Sequence, residues 1–340
     1  MKGETILSKR SRILYIDKDI LYAQIENYLA LSRDLGETWE PLAVELAPGI
    51  KSYSRLHNRL MRRSLHCAEI LDDGSMALTG KGAIYKLDKD RKALQNTFSI
   101  MRGSRPLNLS QNQSGALYWG EYFRNPERQE VNIYGSFDRA QSWSVVYAFG
   151  PKQIRHIHGV FCDPYDDKIW ITTGDEDNES AIWRTDYQFR DMEKITGGNQ
   201  QARALQLAFD QDYVYFGTDT PFETNHIFRI NRNTAKIEKI ISVDTSIYWW
   251  CRVGKWLFFS TAVESSRVNR ARYVSVWGSP DGQDWGCVLK FKKDCWQMKY
   301  FQTGQVLFPQ GENLTGHIFY TPLAVEGDQS LQRLKIDDLG

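Results

Sequence analysis

Four acidic residues of this chain share a local setting: each stands just after a short apolar run typical of a β-strand. They are Glu121, Asp175, Asp219 and Glu264, and the first three stand within two residues of a glycine. Asp and Gly favour turns, so each acid taken alone is explained by turn chemistry. Their repetition in successive segments favours a functional cluster, because a pair of carboxyl groups can act as general acid and as base or nucleophile.

Histidines form a second candidate group. His156 and His158 alternate in the sequence, so on an extended strand their side chains share a face. Both are candidate catalytic residues, as acid, base or hydrogen-bonding groups. With His226 from a later segment they could instead bind a transition metal through imidazole nitrogens. The sequence predicts no cofactor, with a metal on these three histidines as the alternative.

Basic and amide side chains flank the same segments. A planar guanidinium pairs bidentately with a carboxylate, so arginines that converge from separate segments would hold an acidic ligand. A salt bridge to a neighbouring loop acid is the alternative for each arginine. The candidate substrate-binding residues are Arg62, His66, Arg155, Asp177, Arg203, Asn225, His226 and Lys293.

Short β-rich runs separated by turn residues must position these side chains. Residues 159–195 read as strand, turn, strand, turn, strand, turn, strand, which is the pattern of one four-stranded propeller blade. Seven such units begin near Arg12, Ser64, Pro106, Arg155, Arg203, Ser246 and Cys295. The last unit takes its fourth strand from residues 331–336 or from the N-terminal run 5–7, which would close a ring and remove the sheet edges.

The sequence therefore predicts an all-β protein, a single β-propeller domain over residues 1–340 with four-stranded antiparallel blades. Seven blades fit best, and six is the alternative if the N-terminal unit merges with the last. One segment breaks the β pattern. Residues 52–63 carry arginines and leucines at helical spacing, which predicts a short helix or ordered loop between the first two blades.

Three turn motifs share one frame, with Ser and Asp two residues apart and a Trp closing the turn. They are Ser32-Arg-Asp34-Leu-Gly36-Glu-Thr38-Trp39, Ser136-Phe-Asp138-Arg-Ala140-Gln-Ser142-Trp143 and Ser279-Pro-Asp281-Gly282-Gln-Asp-Trp285. Ser and Asp side chains bond nearby amides, and Gly supplies positive φ. The motif resembles the Asp-box of BNR-repeat, sialidase-like β-propellers. The resemblance implies the fold, because in that family the box lies at the outer part of a blade, away from the ligand.

The same resemblance implies an acidic sugar as ligand, since sialidase-like enzymes hold the substrate carboxylate with several arginines. Arg62, Arg155 and Arg203 come from different predicted blades and are the matching candidates. The chain lacks a clear match to the family's usual opening arginine motif, so the resemblance does not extend to sialic acid.

Composition excludes some classes of function. The net charge of +1 gives no global field for nucleic acid or an anionic membrane, and no stretch is apolar enough to span a bilayer. The five cysteines include no CxxC pair, and residues 1–10 lack the apolar core of a signal peptide. We therefore expect buried free thiols and a cytoplasmic protein.

Together these patterns predict a carbohydrate-active enzyme, a glycoside hydrolase acting on a carboxylate-bearing oligosaccharide or polysaccharide at the propeller's central mouth. Asp175 and Glu264 are the first choice for the carboxyl pair. One alternative is an oligosaccharide or polysaccharide lyase that uses His156, His158, His226 and Arg155. Another is a non-catalytic propeller that binds glycan or protein.

Overall fold

The computed structural model describes residues 3–43, 46–90 and 93–339. Within them, seven antiparallel four-stranded sheets follow one another along the chain and close into a ring. The protein is a seven-bladed β-propeller, as the sequence predicted. Neither α-helix among the described residues approaches the length and apolar character that a bilayer crossing requires.

The first four blades each use four consecutive strands, from the channel outward. Those of blade 1 are Ser11–Lys18, Ile20–Ile25, Tyr28–Ser32 and Glu40–Ala43. Those of blade 2 are Ala68–Ile70, Met76–Gly80, Ala83–Leu87 and Gln95–Ser99. Those of blade 3 are Ser110–Gln111, Leu117–Gly120, Val131–Ser136 and Ser144–Phe149. Those of blade 4 are His156–Cys162, Lys168–Gly174, Ala181–Asp186 and Glu193–Gly197.

Blades 5 and 6 repeat this order, and blade 7 departs from it. Blade 5 contains Ala204–Phe209, Tyr213–Thr218, Asn225–Asn231 and Ile237–Val243. Blade 6 contains Ile247–Val253, Trp256–Thr261, Tyr273–Ser279 and Gly286–Lys292. Blade 7 contains Gln305–Leu307, His317–Leu323, Leu331–Lys335 and Glu4–Leu7.

Two contacts close the ring. The N-terminal strand Glu4–Leu7 pairs antiparallel with Leu331–Lys335 and becomes the outermost strand of blade 7. Of the two sequence-predicted sources for that strand, the N-terminal run is therefore correct, and 331–335 is the third strand. A short strand, Gln310–Asn313, leaves blade 7 and pairs in parallel with Ser11–Lys18 of blade 1. The free edges of Leu331–Lys335 in blade 7 and of Ser11–Lys18 in blade 1 are thereby paired.

The inner strands are buried or half-buried along almost their whole length, because neighbouring blades pack around them. All seven residues of His156–Cys162 are buried, whereas the outermost strand Ser144–Phe149 of blade 3 is mostly half-buried or exposed. Trp119, Trp170 and Phe258 are among the largest fully buried side chains between blades. Polar residues on inner strands are therefore held in a poorly hydrated environment.

The helix predicted over residues 52–63 is present as Arg55–Met61, between blades 1 and 2. It begins after Ser54, whose hydroxyl accepts a bond from the His57 amide at 3.1 Å. A second short helix, Met298–Phe301, joins blades 6 and 7 and contacts the first. Three 3-10 turns complete the elements, at Pro48–Ile50, Gln200–Ala202 and Ile336–Leu339.

The three Asp-box-like turns join the third and fourth strands of blades 1, 3 and 6. In blade 1 the Ser32 hydroxyl accepts from the Gly36 amide and Asp34 accepts from the Thr38 amide, both at 2.9 Å. The equivalent bonds form in the other two turns. Ala140 replaces the glycine in blade 3 and adopts the same left-handed conformation at φ 60°. These bonds explain the motif as turn chemistry at the outer part of the blade.

A buried ion pair joins blades 4 and 5 and generates a stability prediction. Asp163 is fully buried, and it accepts bonds from Arg232 at 2.7 Å and from the Trp170 indole at 3.0 Å. We expect Asp163→Ala to lower the free energy of unfolding by about 3–5 kcal/mol, because it leaves a guanidinium buried without its partner. Chemical denaturation measures this.

The matched control is Asp72→Ala, which removes an exposed pair with Arg139. We expect little change there, because solvent screens exposed pairs. Equal losses in both variants would contradict the assigned role of the Asp163 pair.

Candidate functional site

A cavity of about 220 Å³ lies at one end of the central channel. Every blade, or the segment that leads into it, contributes a polar side chain to the wall. One from each, in blade order, is Arg12, His66, Arg105, Asp175, Asp219, Glu264 and Gln305. Most of these groups are buried or half-buried, so their charges are poorly screened. We call this cavity the front chamber.

Strand pairing explains why these residues meet. In an antiparallel pair, the start of the inner strand lies beside the end of the second strand. His156 thus pairs with Gly174, directly before Asp175, and Ala204 pairs with Thr218, directly before Asp219. The recurring acids and the histidines and arginines that precede the inner strands are therefore at the same end of each blade.

His156, His158 and Asp175 form the tightest polar cluster. The two histidine Nε2 atoms lie 3.1 Å apart, and Asp175 Oδ1 is 3.4 Å from one and 3.5 Å from the other. The Nδ1 atoms face the backbone carbonyls of Phe123 and Ala204 at 3.2 and 3.0 Å. A carbonyl only accepts, so both Nδ1 atoms carry hydrogen and, in neutral rings, both Nε2 atoms present lone pairs.

Two lone pairs and a carboxylate oxygen facing one another require a shared cation, which can be a proton or a metal ion. Burial lowers the pKa of His158 to about 4, which disfavours the proton on that ring at neutral pH. Burial alone would raise the pKa of Asp175, but contacts with both histidines hold it well below its usual range. Two imidazoles and one carboxylate, oriented by backbone acceptors, fit a first-row divalent ion.

Asp175 also links this cluster to the arginines. It lies 3.1 Å from Arg155 and 3.1 Å from Arg203, and Arg203 continues to Asp219 at 3.3 Å. The ring of Tyr122 covers the histidines, with its centroid 4.4 Å from that of His156. Asp175 is thus a shared acceptor between the histidines and two guanidinium groups.

Asp219, Tyr248 and Glu264 form a group that can exchange protons. Burial, reinforced by the nearby charge of Glu264, raises the pKa of Asp219 to about 7 although Arg203 opposes the shift. The Tyr248 hydroxyl donates a short hydrogen bond to Glu264. Burial and the charges of Asp219 and Glu264 raise the pKa of Tyr248 well above its ordinary value. At neutral pH the tyrosine therefore keeps its proton, and Asp219 sits near its midpoint.

The opposite wall carries cations without acids. Within residues 3–43, 46–90 and 93–339, neither Arg12 nor Arg105 forms an ion pair. Burial lowers the pKa of Arg12 to about 9 and that of Arg105 to about 10, and each group remains charged at neutral pH. Arg12 donates to the His66 carbonyl at 2.9 Å, and its guanidinium carbon lies 5.4 Å from the Trp249 ring centroid. This wall is suited to an anion.

Eight of the candidate site residues, the seven described next and His66, lie in or directly against the front chamber. Three of them are acids that line the chamber, two are arginines that contact Asp175, and two are the histidines of the cluster. These are Asp175, Glu264, Asp219, Arg155, Arg203, His156 and His158. His66 also lines the chamber, where burial and the neighbouring arginines lower its pKa well below its ordinary value.

Three other candidates are held by structural contacts. Glu121 accepts from Arg102 and from the Asn132 amide, each at 2.9 Å. Asn225 accepts from the Thr218 hydroxyl at 2.9 Å and closes a buried turn.

Lys293 bonds Asp294 and the Trp296 carbonyl. Glu121, Asn225 and Lys293 are thus held by these contacts and do not line the chamber wall.

The last three candidates lie on nearby surfaces. Arg62 lines a narrow cleft beside the chamber, next to Arg105. Asp177 accepts from Gln200 at 2.8 Å on the outer face of its loop. His226 contacts Gln201 at 2.9 Å and lies outside the cluster of His156 and His158, in which a carboxylate is the third member.

Several chamber residues lie outside the sequence-predicted set, among them the ionisable residues Arg12, Arg105 and Tyr248. Arg105 could have been found from the sequence, because it stands at the start of a predicted unit, as Arg155 and Arg203 do. Arg12 and Tyr248 lie within apolar inner strands, where sequence alone does not separate a channel-facing side chain from a core one.

Comparison with known proteins gives the fold. No protein-family model and no curated protein matches the chain. An oligogalacturonate lyase in complex with manganese has a TM-score of 0.63 at 10% identity, covering 95% of this chain and 89% of that one. An oligogalacturonate lyase from Vibrio parahaemolyticus scores 0.61 at 10% identity, with 98% and 91% covered. A chain of the mitotic checkpoint complex scores 0.60 at 12%, with 98% and 91% covered. At these identities the likeness establishes a propeller, a fold that carries many functions.

The histidine cluster generates a metal-binding prediction. We expect Mn²⁺ or Zn²⁺ to bind at one site per chain, with His156→Ala and Asp175→Asn each weakening the affinity at least about tenfold. Calorimetric titration of the chelator-treated protein measures stoichiometry and affinity.

His226→Ala is the matched control, because this histidine lies outside the cluster. Unchanged affinity in His156→Ala, or an equal loss in His226→Ala, would contradict the assignment.

Proposed function

We propose that this propeller is a lyase that cleaves a carboxylate-bearing oligosaccharide by β-elimination in the front chamber. The observation that carries the proposal is the division of the chamber wall. Arg12 and Arg105, from the blade 1–3 side, have no acidic partner among the described residues, whereas the proton-exchanging groups come from blades 5 and 6.

The arginine wall supplies substrate recognition. A uronate carboxylate at Arg12 and Arg105 would provide the counter-charge that these buried guanidiniums lack. The same contacts lower the barrier to proton removal, because negative charge builds up on that carboxylate as the neighbouring carbon loses its proton. A neutral sugar offers neither effect, so the proposal restricts the substrate to acidic glycans.

The acid and base come from the opposite wall. Asp219 removes the proton on the carbon next to the carboxylate, and the electron pair forms a carbon–carbon double bond. The bond from the adjacent carbon to the glycosidic oxygen breaks, and that oxygen takes a proton from Tyr248. One unsaturated uronate and one shortened saccharide result, and no water is consumed. Glu264 holds the Tyr248 hydroxyl in the resting protein.

His156, His158 and Asp175 would hold a divalent ion beside this reaction. Such an ion, when bound, supplies Lewis-acid polarisation of a carboxylate oxygen. The lyase with a similar fold was solved in complex with manganese, which supports the proposal at the level of fold likeness. Arg155 and Arg203 fix the Asp175 carboxylate from its other side.

Asp219 also supports a second candidate, a glycoside hydrolase. A carboxyl group with a pKa of about 7 can be the general acid, with Glu264 as the second carboxyl group of the pair. The first-choice hydrolase residue, Asp175, suits this chemistry poorly, because two guanidiniums and two imidazoles already share its oxygens.

Product analysis tests the reaction class. With short oligomers of galacturonate, glucuronate or mannuronate, we expect an unsaturated product that absorbs in the ultraviolet. We expect Arg105→Met to raise KM at least about tenfold, because it removes a charge-assisted contact worth about 1.5–3 kcal/mol.

Arg190→Met, on an exposed loop, is the control and should leave KM unchanged. Incorporation of ¹⁸O from water into a saturated product would establish the hydrolase instead. No turnover of any acidic oligomer, with or without added Mn²⁺, would exclude both.

The pH dependence of kcat/KM distinguishes Asp219 as the base of a lyase from Asp219 as the general acid of a hydrolase. A base must be ionised, so kcat/KM should rise by about tenfold per pH unit up to an apparent pKa near 7 and then level off. The groups facing Asp219 are Arg203, Glu264, Asp175 and Tyr248. Burial, reinforced by the carboxylates among them, raises the pKa of Asp219 to this value.

Asp219→Asn should abolish both turnover and this limb, while Asp166→Asn on an exposed turn should change neither. A profile that instead falls above pH 7 would assign Asp219 as an acid and refute its role as the base.

A further inference from the structure

A second cavity of about 200 Å³ lies farther along the channel, at the other ends of the inner strands. We call it the rear chamber; it is lined by Glu69, Phe161, Phe209, Trp250 and Phe308, among others. Leu107, Gln206 and Trp249 line both chambers and form the partition between them. None of the reaction steps above uses the rear chamber.

Its walls are mainly apolar and aromatic. Three cysteines, Cys67, Cys162 and Cys251, also line it. Their sulfurs do not form a metal-binding group, since the one such group among the described residues is the histidine cluster. Burial raises the pKa of Cys67 to about 11 and that of Cys162 to about 12, so these thiols act as small apolar wall residues.

Glu69 is the one acidic side chain among the described residues that line the rear chamber. Across the described part of the chain its carboxylate has no hydrogen bond and no ion pair, although its backbone pairs regularly with Ala77. A carboxyl group without a partner in an apolar cavity carries a desolvation cost. Burial raises its pKa to about 8.

The charged and titratable groups around Glu69 supply no counter-charge. Cys67, Cys162 and Tyr15 stay neutral at neutral pH, because each has a raised pKa. Arg252 lines the same chamber, but it donates to the Phe209 carbonyl at 2.6 Å and forms no ion pair with Glu69.

We propose that the rear chamber binds a small organic cation, a protonated amine on an aromatic or alkyl body. The ammonium group gives the Glu69 carboxylate its missing partner, and the aromatic walls enclose the apolar body and attract the positive charge. A cavity of about 150 Å³ is enough for a benzene ring, so the rear chamber accommodates one ring with a short amine arm.

Binding requires the ionised carboxylate, so it is linked to proton release. Near neutral pH Glu69 is mostly protonated, and each amine bound should release close to one proton. Affinity should therefore rise with pH until Glu69 is fully ionised. A neutral or anionic ligand of the same shape gains nothing from this ionisation.

Calorimetric titration with benzylamine, benzyl alcohol and benzoate tests the proposal. We expect benzylamine to bind at least about tenfold more tightly than benzyl alcohol at pH 8, and benzoate not to bind. Titration near pH 7 in buffers of different ionisation enthalpy measures the proton release. This test does not depend on turnover, so it is independent of the proposed lyase activity.

Glu69→Gln, which mimics the protonated acid in size, should remove the preference for benzylamine and the proton release. Glu312→Gln is the matched control, since Glu312 is an exposed acid on the short strand next to the chamber. Equal binding of benzyl alcohol, binding of benzoate, no binding of benzylamine, or an unchanged preference in Glu69→Gln would each overturn the proposal. If Glu69→Gln fails to fold, the pH dependence of the natural chain decides.

Discussion

Charge crowding around the propeller axis is the constraint on which the candidate site depends. Seven inner strands end at one mouth, and their ionisable side chains share a space that water screens poorly. The protein meets this constraint on one wall by pairing opposite charges and leaves the other wall cationic. Asp175 contacts Arg155 and Arg203, whereas Arg12 and Arg105 have no acidic partner in the part of the chain that the structure describes. One wall of the front chamber is therefore cationic, and the other brings Asp219, Tyr248 and Glu264 together.

Backbone carbonyl groups determine which nitrogen carries hydrogen in the buried histidines at this mouth. The carbonyls of Phe123 and Ala204 fix which nitrogen of each cluster histidine carries hydrogen, and this turns two lone pairs toward one carboxylate. The same principle applies at His66, whose Nε2 faces the Leu107 carbonyl at 3.0 Å and whose other nitrogen meets Arg12. The tautomer of each ring, when neutral, therefore follows from strand geometry.

Sequence patterns were sufficient for the fold, because blade periodicity and turn residues are local signals. They also located Asp175, Asp219 and Glu264, since a strand end followed by an acid can be recognised in one segment. They could not distinguish Glu121 from these, because its partner Arg102 comes from another part of the chain. Tyr248 was missed because a hydroxyl within an aromatic strand has no local signature. The pairing of the first two strands of blade 6 brings Glu264 beside it.

The pairing of Glu4–Leu7 with Leu331–Lys335 has a consequence for how the chain acquires its structure. Glu4–Leu7 is synthesised more than 300 residues before its partner, with Glu4 and Arg333 separated by 329 positions, so blade 7 stays incomplete until Leu331–Lys335 has emerged. Until then, the edges of blades 1 and 7 are exposed and free to pair with other chains. Nascent-chain association, and the chaperones that suppress it, should therefore matter most before Leu331–Lys335 has been synthesised.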